Sequence, residues 1–332
     1  MFDGATDVSV SENETVYARV VEQGVPHNVF VKIHAVEHAH AEGILGAFET
    51  AMDSVDPGWD WKQKLITTGS DGASVNLGKR HSVAKLLKDQ VPHLFAMHCV
   101  SHRLELGAID AMKQRDGKMF QDLKSVLMNL HKHYHYSTKA LRELQLLSEA
   151  MNDQIAKPVN LSGTRWMPHL SRCLDVLLSK YSTFVAHFEN TLEGKSRTVQ
   201  ARAQLILRHL KDYNLLNYMH FLKDVLAILS ELSLQFQKDS CGLPEATEAL
   251  ETACLRLSAL HLRLGVNLQN FLDTVTENHM FKNVQLHAPT LSQEQFKTKQ
   301  DALIDLDIDH ISSRVGDKSF YPVNLPETRA VP

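Results

Sequence analysis

The sequence predicts a mixed α/β layer followed by a mainly α-helical region, helix-rich overall. Three observations carry this expectation. Apolar spacing in the first hundred residues switches repeatedly between period two and a period of three to four. Beyond Ser101 the helical period runs almost without interruption. Hydrophobic residues make up 43% of the 332, enough to bury a sizeable core, so wholesale disorder is not expected. About two domains follow from a prior of roughly 100–200 residues each.

In chain order, residues 15–21 alternate, with Val16, Ala18 and Val20 on one face and Tyr17, Arg19 and Val21 on the other. A Glu22-Gln23-Gly24-Val25-Pro26 segment follows, then a second alternation with Val29, Val31, Ile33 and Ala35 on one side. Two such runs across a short Gly/Pro segment predict an antiparallel hairpin. The period then changes: Ile44, Leu45, Phe48, Met52 and Val55 share one helical face, ended near Pro57-Gly58. Residues 65–68 and 94–97 read as short buried strands. Between them, residues 74–88 suit one helix with Val83, Leu86 and Leu87 inward.

From Ser101 onward the reading is helical. Leu104, Ile109 and Met112 carry one segment; Phe120, Leu123, Val126, Leu127 and Leu130 the next; Leu141, Leu144, Leu147 and Met151 continue it. A long helix is expected after Trp166, striped by Leu170, Leu174, Leu177, Tyr181, Phe184 and Phe188. Leu215 to Phe236 has the three-and-four spacing of a bundle seam, and Leu250, Cys254, Leu257, Leu260 and Leu264 suit a partner helix. Past about Thr290 the pattern decays. The expected domains are therefore 1–135, an α/β core; 136–290, a helical domain; and 291–332, a poorly ordered tail.

Lys and Arg total 35 against 39 Asp and Glu, a formal charge of −4. Such a balance does not hold a protein on DNA by global electrostatics, so any nucleic-acid binding must come from a local patch. Four cysteines stand far apart with no CxxC pair, which argues against a disulfide scaffold or zinc ribbon and fits a reducing compartment. No basic-then-apolar leader opens the chain, and no apolar run approaches the ~18 residues of a membrane span. A soluble intracellular protein without a membrane partner is expected.

Candidate chemistry gathers at a few points. Gly69-Ser70-Asp71-Gly72-Ala73-Ser74 follows an apolar strand and precedes a helix, so Asp71 projects where open α/β sheets collect ligands; read on its own, it is a helix cap. Gly72, Gly78 and Lys79 do not make a P-loop, because five residues separate the glycines and Arg80 follows the lysine. His98, Cys99 and His102 are zinc-ligand types but lack a repeating third and fourth ligand, and Cys99 on an apolar strand reads as a buried hydrophobe. Thr164-Arg165-Trp166 opens a helix: by itself a cap and a core residue, or else a base-stacking aromatic beside a phosphate-binding Arg. Lys79, Arg80, Lys85 and Lys88 form a modest basic stripe, equally a solvated face.

Five phrases in order, Asp3-Gly-Ala-Thr-Asp-Val-Ser, Ser70-Asp-Gly-Ala-Ser, His98-Cys-Val-Ser-His102, Tyr134-His-Tyr-Ser and Thr164-Arg-Trp, resemble the hAT transposase superfamily, particularly its domesticated vertebrate zinc-finger and SUMO-ligase-named members. The resemblance covers about Asp3 to Leu264. It implies an RNase H-like core interrupted by a helical insertion domain, and a DDE mechanism. Asp3, with Asp7 as the lesser choice, would be the first carboxylate and Asp71 the second. Together they would hold two Mg²⁺ ions roughly 3.5–4 Å apart. Cys99 and His102 match the family's Cys-x-x-His beside that site. Arg165 and Trp166 match its Arg-Trp, whose Trp stacks on an extruded base.

The chain also departs from the family. The third acid, a Glu after the insertion domain, is not identifiable; Glu277 and Glu294 lack the surrounding pattern. The zinc finger that would precede Asp3 and the dimerisation segment that would follow are missing, so the chain reads as truncated at both ends. Three functions follow as expectations. The first is a transposase-derived nuclear protein with a vestigial catalytic core, acting through nucleic acid, protein partners or a second copy of itself. The second is a Mg²⁺-dependent DNA cleavage and transfer enzyme whose third acid lies outside the chain. The third is a helical interaction scaffold.

Overall fold

A computed structural model describes residues 1–6, 12–56, 58–115, 117–154, 156–161, 166–194 and 196–315. It is helix-rich: 63% of the chain is helical, in fourteen helices among the described residues, with small sheets beside them. Two compact units share the chain. The first takes residues 1–104 and 235–247 together with Arg314 and Val315; the second takes 105–234 and 248–313.

In the first unit, β1 (Phe2–Thr6), β2 (Glu12–Glu22) and β3 (Val25–Val36) form an antiparallel sheet in that order. The hairpin closes through Gln23 and Gly24, at φ 51° and 81°. Two consecutive left-handed residues give the tight turn whose twist matches that of paired strands. Phe2 pairs with Val16 and Gly4 with Glu14, and the register slips at Val16/Tyr17. Pairing with period two puts Phe2, Gly4, Glu14 and Val16 on one face, and that face is covered: Phe2, Glu14 and Val16 are all buried.

The cover is α1 (Ala41–Asp53), packed on β2 and β3 through Ile44, Leu45, Phe48 and Met52. Its first turn is capped by the His40 imidazole, which accepts from Gly43 N–H at 3.0 Å. Gly43 has no alternative there, since a Cβ would lie 2.2 Å from the His38 carbonyl oxygen. The short α2 (Trp61–Lys64) adds Trp61, whose indole N–H donates to Asp53 and whose ring meets Phe48 edge-on. Val55 falls past the helix and is exposed.

β4 (Thr67–Ser70) and β5 (Phe95–His98) pair in parallel, and β4 also lies in contact with β1. Both strands sit further along the chain than the apolar runs suggested; Ile66 is outside β4 and exposed. The single helix expected over 74–88 is two, α3 (Ser74–Leu77) and α4 (Val83–Gln90). Gly78 is extended between them, and a Cβ there would stand 2.3 Å from Ser74 O. Ser82 then starts α4 afresh by accepting from Lys85 N–H.

The second unit holds most of the helices: α5 (Val100–Arg115), α6 (Gly117–His135), α7 (Thr138–Ala150), α8 (Trp166–Ser179), α9 (Tyr181–Leu192), α10 (Arg197–Leu210), α11 (Tyr213–Phe236), α12 (Leu243–Ala259), α13 (Val266–Thr274) and α14 (Gln293–Val315), of which α5 and α12 begin, and α11 and α14 end, in the first unit. The expected long helix after Trp166 is broken at Lys180, which leaves the helical path and pairs with Asp153. Leu260 and Leu264 lie beyond the end of α12. Two-residue strands β6 (Met280–Phe281) and β7 (Val284–Gln285) make a small hairpin through left-handed Lys282 and Asn283.

Two aromatic knots fix the helices of this unit. Tyr134, His133, Phe184, His187 and Phe188 interlock, with the Tyr134 hydroxyl 2.9 Å from His187 Nδ1. His220 stacks on Phe271, which also meets Phe281. The segment expected to be a loose tail from 291 instead contains the 23-residue α14, with Leu303, Ile304 and Ile311 fully buried. Its buried stripe is interrupted by Gln300 and Asp307, which hides its period in the sequence. Among the described residues no helix is long and apolar enough to cross a membrane.

Candidate functional site

The site is the edge of the first unit where β1 and β4 run side by side. β1 supplies Asp3, and Asp71 follows the last residue of β4. Asp3 is exposed and pairs with Thr15, so its side chain leaves the sheet on the face opposite Gly4 and Glu14. Asp71 is half-buried. Its Oδ1 accepts from Ala73 N–H at 3.1 Å and from Asn76 Nδ2 at 2.7 Å. Asp71 is therefore not the helix cap expected: the cap position of α3 belongs to Ala73, and Asp71 closes an Asx turn just ahead of it.

A third carboxylate joins them from β2. Glu14 is 4% exposed, and its Oε2 would stand only 3.0 Å from a Cβ on Gly4, so the glycine makes its room. Burial, and then the charges of Asp3 and Asp71, raise the Glu14 carboxyl to about 7. Sequence reading missed it because Glu14 precedes the obvious alternation. The signal was its parity: two residues before Val16, a charge sits on the face that must go inward.

His98 ends β5 opposite Ser70. Its pKa falls to about 4, chiefly through burial and then through His102 and Arg103, while Asp71 pulls the other way. The ring packs against Gly72, where a Cβ would meet His98 Nε2 at 2.6 Å. His102, on the first turn of α5, is 5.2 Å from His98 between ring centroids. Cys99 is exposed rather than buried. It lies just past β5, where its N–H donates to Ser70 O and its carbonyl accepts from Arg103 N–H; both contacts hold the backbone and turn the thiol outward.

The charges of Asp3 and Asp71 thus both reach Glu14, and His98 packs against Gly72, next to Asp71, with His102 beyond it. Trp166 belongs to the second unit. Its backbone N–H, at the start of α8, donates to the buried Glu105 carboxylate at 2.9 Å, and its half-buried ring meets Phe120 edge-on at 5.5 Å. A carboxylate at a helix N-terminus is favourably placed against the helix dipole. Arg165, Thr164 and Asp7 lie outside the described residues.

Around Asp71 stand the Glu14 carboxylate, whose pKa feels its charge, and the His98 ring, whose Nε2 is buried without a partner among the described residues. Among the described residues, no group of three or more His, Cys, Asp or Glu side chains is gathered closely enough to hold an ion. No protein-family model matches the chain.

Proposed function

We propose that this chain is a transposase-derived nuclear protein of the hAT type that acts by binding nucleic acid through an RNase H-like core with a vestigial strand-transfer centre. The observation that carries the reading is the neighbouring of β1 and β4, which brings Asp3 and Asp71 to one edge where both charges bear on Glu14. Strand adjacency 3-2-1-4-5, with β1 to β3 antiparallel and β4 parallel to β5, supports the RNase H-like assignment. Magnesium held by Asp3 and Asp71 would supply activation of a hydroxyl or water and charge relief at a leaving oxygen. Asn76 and the Ala73 N–H orient the Asp71 carboxylate for that role.

Buried Glu14 favours a second reading, in which metal-dependent DNA cleavage survives. The two separate in one experiment on the full chain with branched and single-stranded DNA. The binding reading expects salt-sensitive association, weakened by ~1–3 kcal/mol in Trp166→Ala, and no nicking. Mg²⁺-dependent nicking that disappears in Asp71→Asn would establish the second. Binding by Trp166→Ala equal to wild type across a salt titration would remove the stacking role.

A further inference from the structure

In the second unit, α6 ends in a run rich in histidine, with His131, His133 and His135 all in its last turns. Helical spacing divides them. His133 turns inward and is 5% exposed, whereas His131 is half-buried and His135 is exposed. Residues four apart on a helix stand one above the other on the same face. The His131 and His135 imidazoles do so here, with ring centroids 4.9 Å apart and planes 22° from parallel. The other ring beside them is aromatic: Tyr136 stands edge-on to His135 at 4.7 Å.

Two imidazoles held in this way offer nitrogen donors to one point beside the helix. It is the spacing by which a helix presents two histidine ligands to a metal. Imidazole nitrogen suits zinc, copper and nickel, and it must be neutral to bind them. Burial, and then the neighbouring His135, hold His131 below the ordinary imidazole range, so it is neutral at about pH 7. The pair also lies on the last turn of a 19-residue helix, where unpaired carbonyls and the helix dipole favour positive charge.

The other pair at this spacing, His98 and His102, lacks these features. His98 is on β5 rather than on a helix, and its ring is tilted 43° from that of His102. Its edge is wedged against Gly72, where a Cβ would lie 2.4 Å from Cε1 and 2.6 Å from Nε2. The unmatched Nε2 is therefore enclosed, with little room for a coordination sphere. Arg103 and Arg314 also act on that ring, and only Asp71 opposes them.

We propose that His131 and His135 form a two-histidine chelate site for a borderline transition-metal ion of the zinc, nickel and copper(II) class, with water in the remaining positions. The site owes nothing to the carboxylates of the β1–β4 edge, which belong to the other unit. An ion held there clips together the last turn of α6 and, by binding only the folded chain, stabilises it.

The probe is Ni²⁺ alone, added to the untagged full chain at neutral pH and followed by calorimetric titration. Because the chain holds 19 histidines, the site is located separately, by which of them Ni²⁺ shields from carbethoxylation, read peptide by peptide in a mass spectrometer. A saturable site is expected, with His131 and His135 shielded together. Its affinity should fall at least about tenfold, a change of ~1.4 kcal/mol, in His131→Asn and in His135→Asn alike, because a chelate needs both rings. His102→Asn should bind as wild type does. His135 is exposed, so His135→Asn should melt like wild type without metal, yet lose the rise in melting temperature that Ni²⁺ gives the wild type. Undiminished binding in either variant of the pair, shielding confined to other histidines, or no saturable site overturns the proposal. Weakening in His102→Asn with the pair's variants unaffected overturns it too and moves the site to His98 and His102.

Discussion

Replacing Asp307 by asparagine should stabilise the protein at neutral pH. Asp307 is fully buried on α14, and among the described residues neither carboxylate oxygen has a partner. Burial raises its pKa well above the ordinary 3.8. For an acid whose folded pKa is raised, the contribution to stability is intact below the unfolded value and is lost as pH rises towards the folded one. Holding the proton above the ordinary carboxylate range therefore costs stability, and the cost grows as pH rises. The side-chain amide of the Asp307→Asn variant would keep the shape and the polar atoms but carry no such cost. Urea unfolding of wild type and Asp307→Asn, followed by far-UV circular dichroism at several pH values, measures the difference. The gap should be largest at neutral pH and close as pH falls to about 4. A variant no more stable than wild type at neutral pH, or a gap that does not narrow on acidification, would refute the reasoning.

Asp224→Ala should destabilise the second unit by about 2–3 kcal/mol. The buried Asp224 carboxylate accepts from the backbone N–H groups of Asn267 and Leu268 and from the Asn267 side chain, so it caps α13 from α11. Urea unfolding gives the magnitude, and faster exchange of those two amides gives the location. His133 and His220, each lowered to about 4 chiefly by burial, should stay neutral from about pH 8 to about pH 5 in an NMR titration. Because their folded pKa values are depressed from 6.5, the stability they allow is complete above 6.5 and declines as pH falls towards 4. A midpoint near 6.5 for either ring would count against its burial.

The elements that could be read in advance are those whose apolar residues repeat cleanly. Ile44, Leu45, Phe48 and Met52 announce α1, and Leu215 to Phe236 announces α11, because one side of each is almost wholly apolar. Helix breaks were harder. Gly78 was a stop signal passed over, since glycine just past a helix commonly ends it, whereas Lys180 carries none and its side chain pairs with Asp153 where the helix breaks. α14 escaped because polar Gln300 and Asp307 occupy its inward face. At the site, Asp71 was visible from its position after a strand. Glu14 was signalled only by its parity with Val16, and Asn76 not at all, because an unmatched buried amide oxygen is not revealed by spacing.

The β2–β3 ribbon leaves Tyr17, Val20, Val29, Phe30 and Ile33 exposed, and it is tied to residues 235–247 by Arg19, which donates to Asp239 O at 2.8 Å, and by Asn28 to the Asp239 side chain. The Arg19 bond spans 220 residues of sequence. A ribosome adding ~5–20 residues per second needs on the order of 10–40 s to reach the second partner after the first has appeared. Throughout that interval a greasy two-stranded ribbon stands outside the tunnel with its late-arriving strap unmade. The nascent chain is then at its most adhesive, and binding by a chaperone to the ribbon tip would bring its largest benefit before residue 239 emerges.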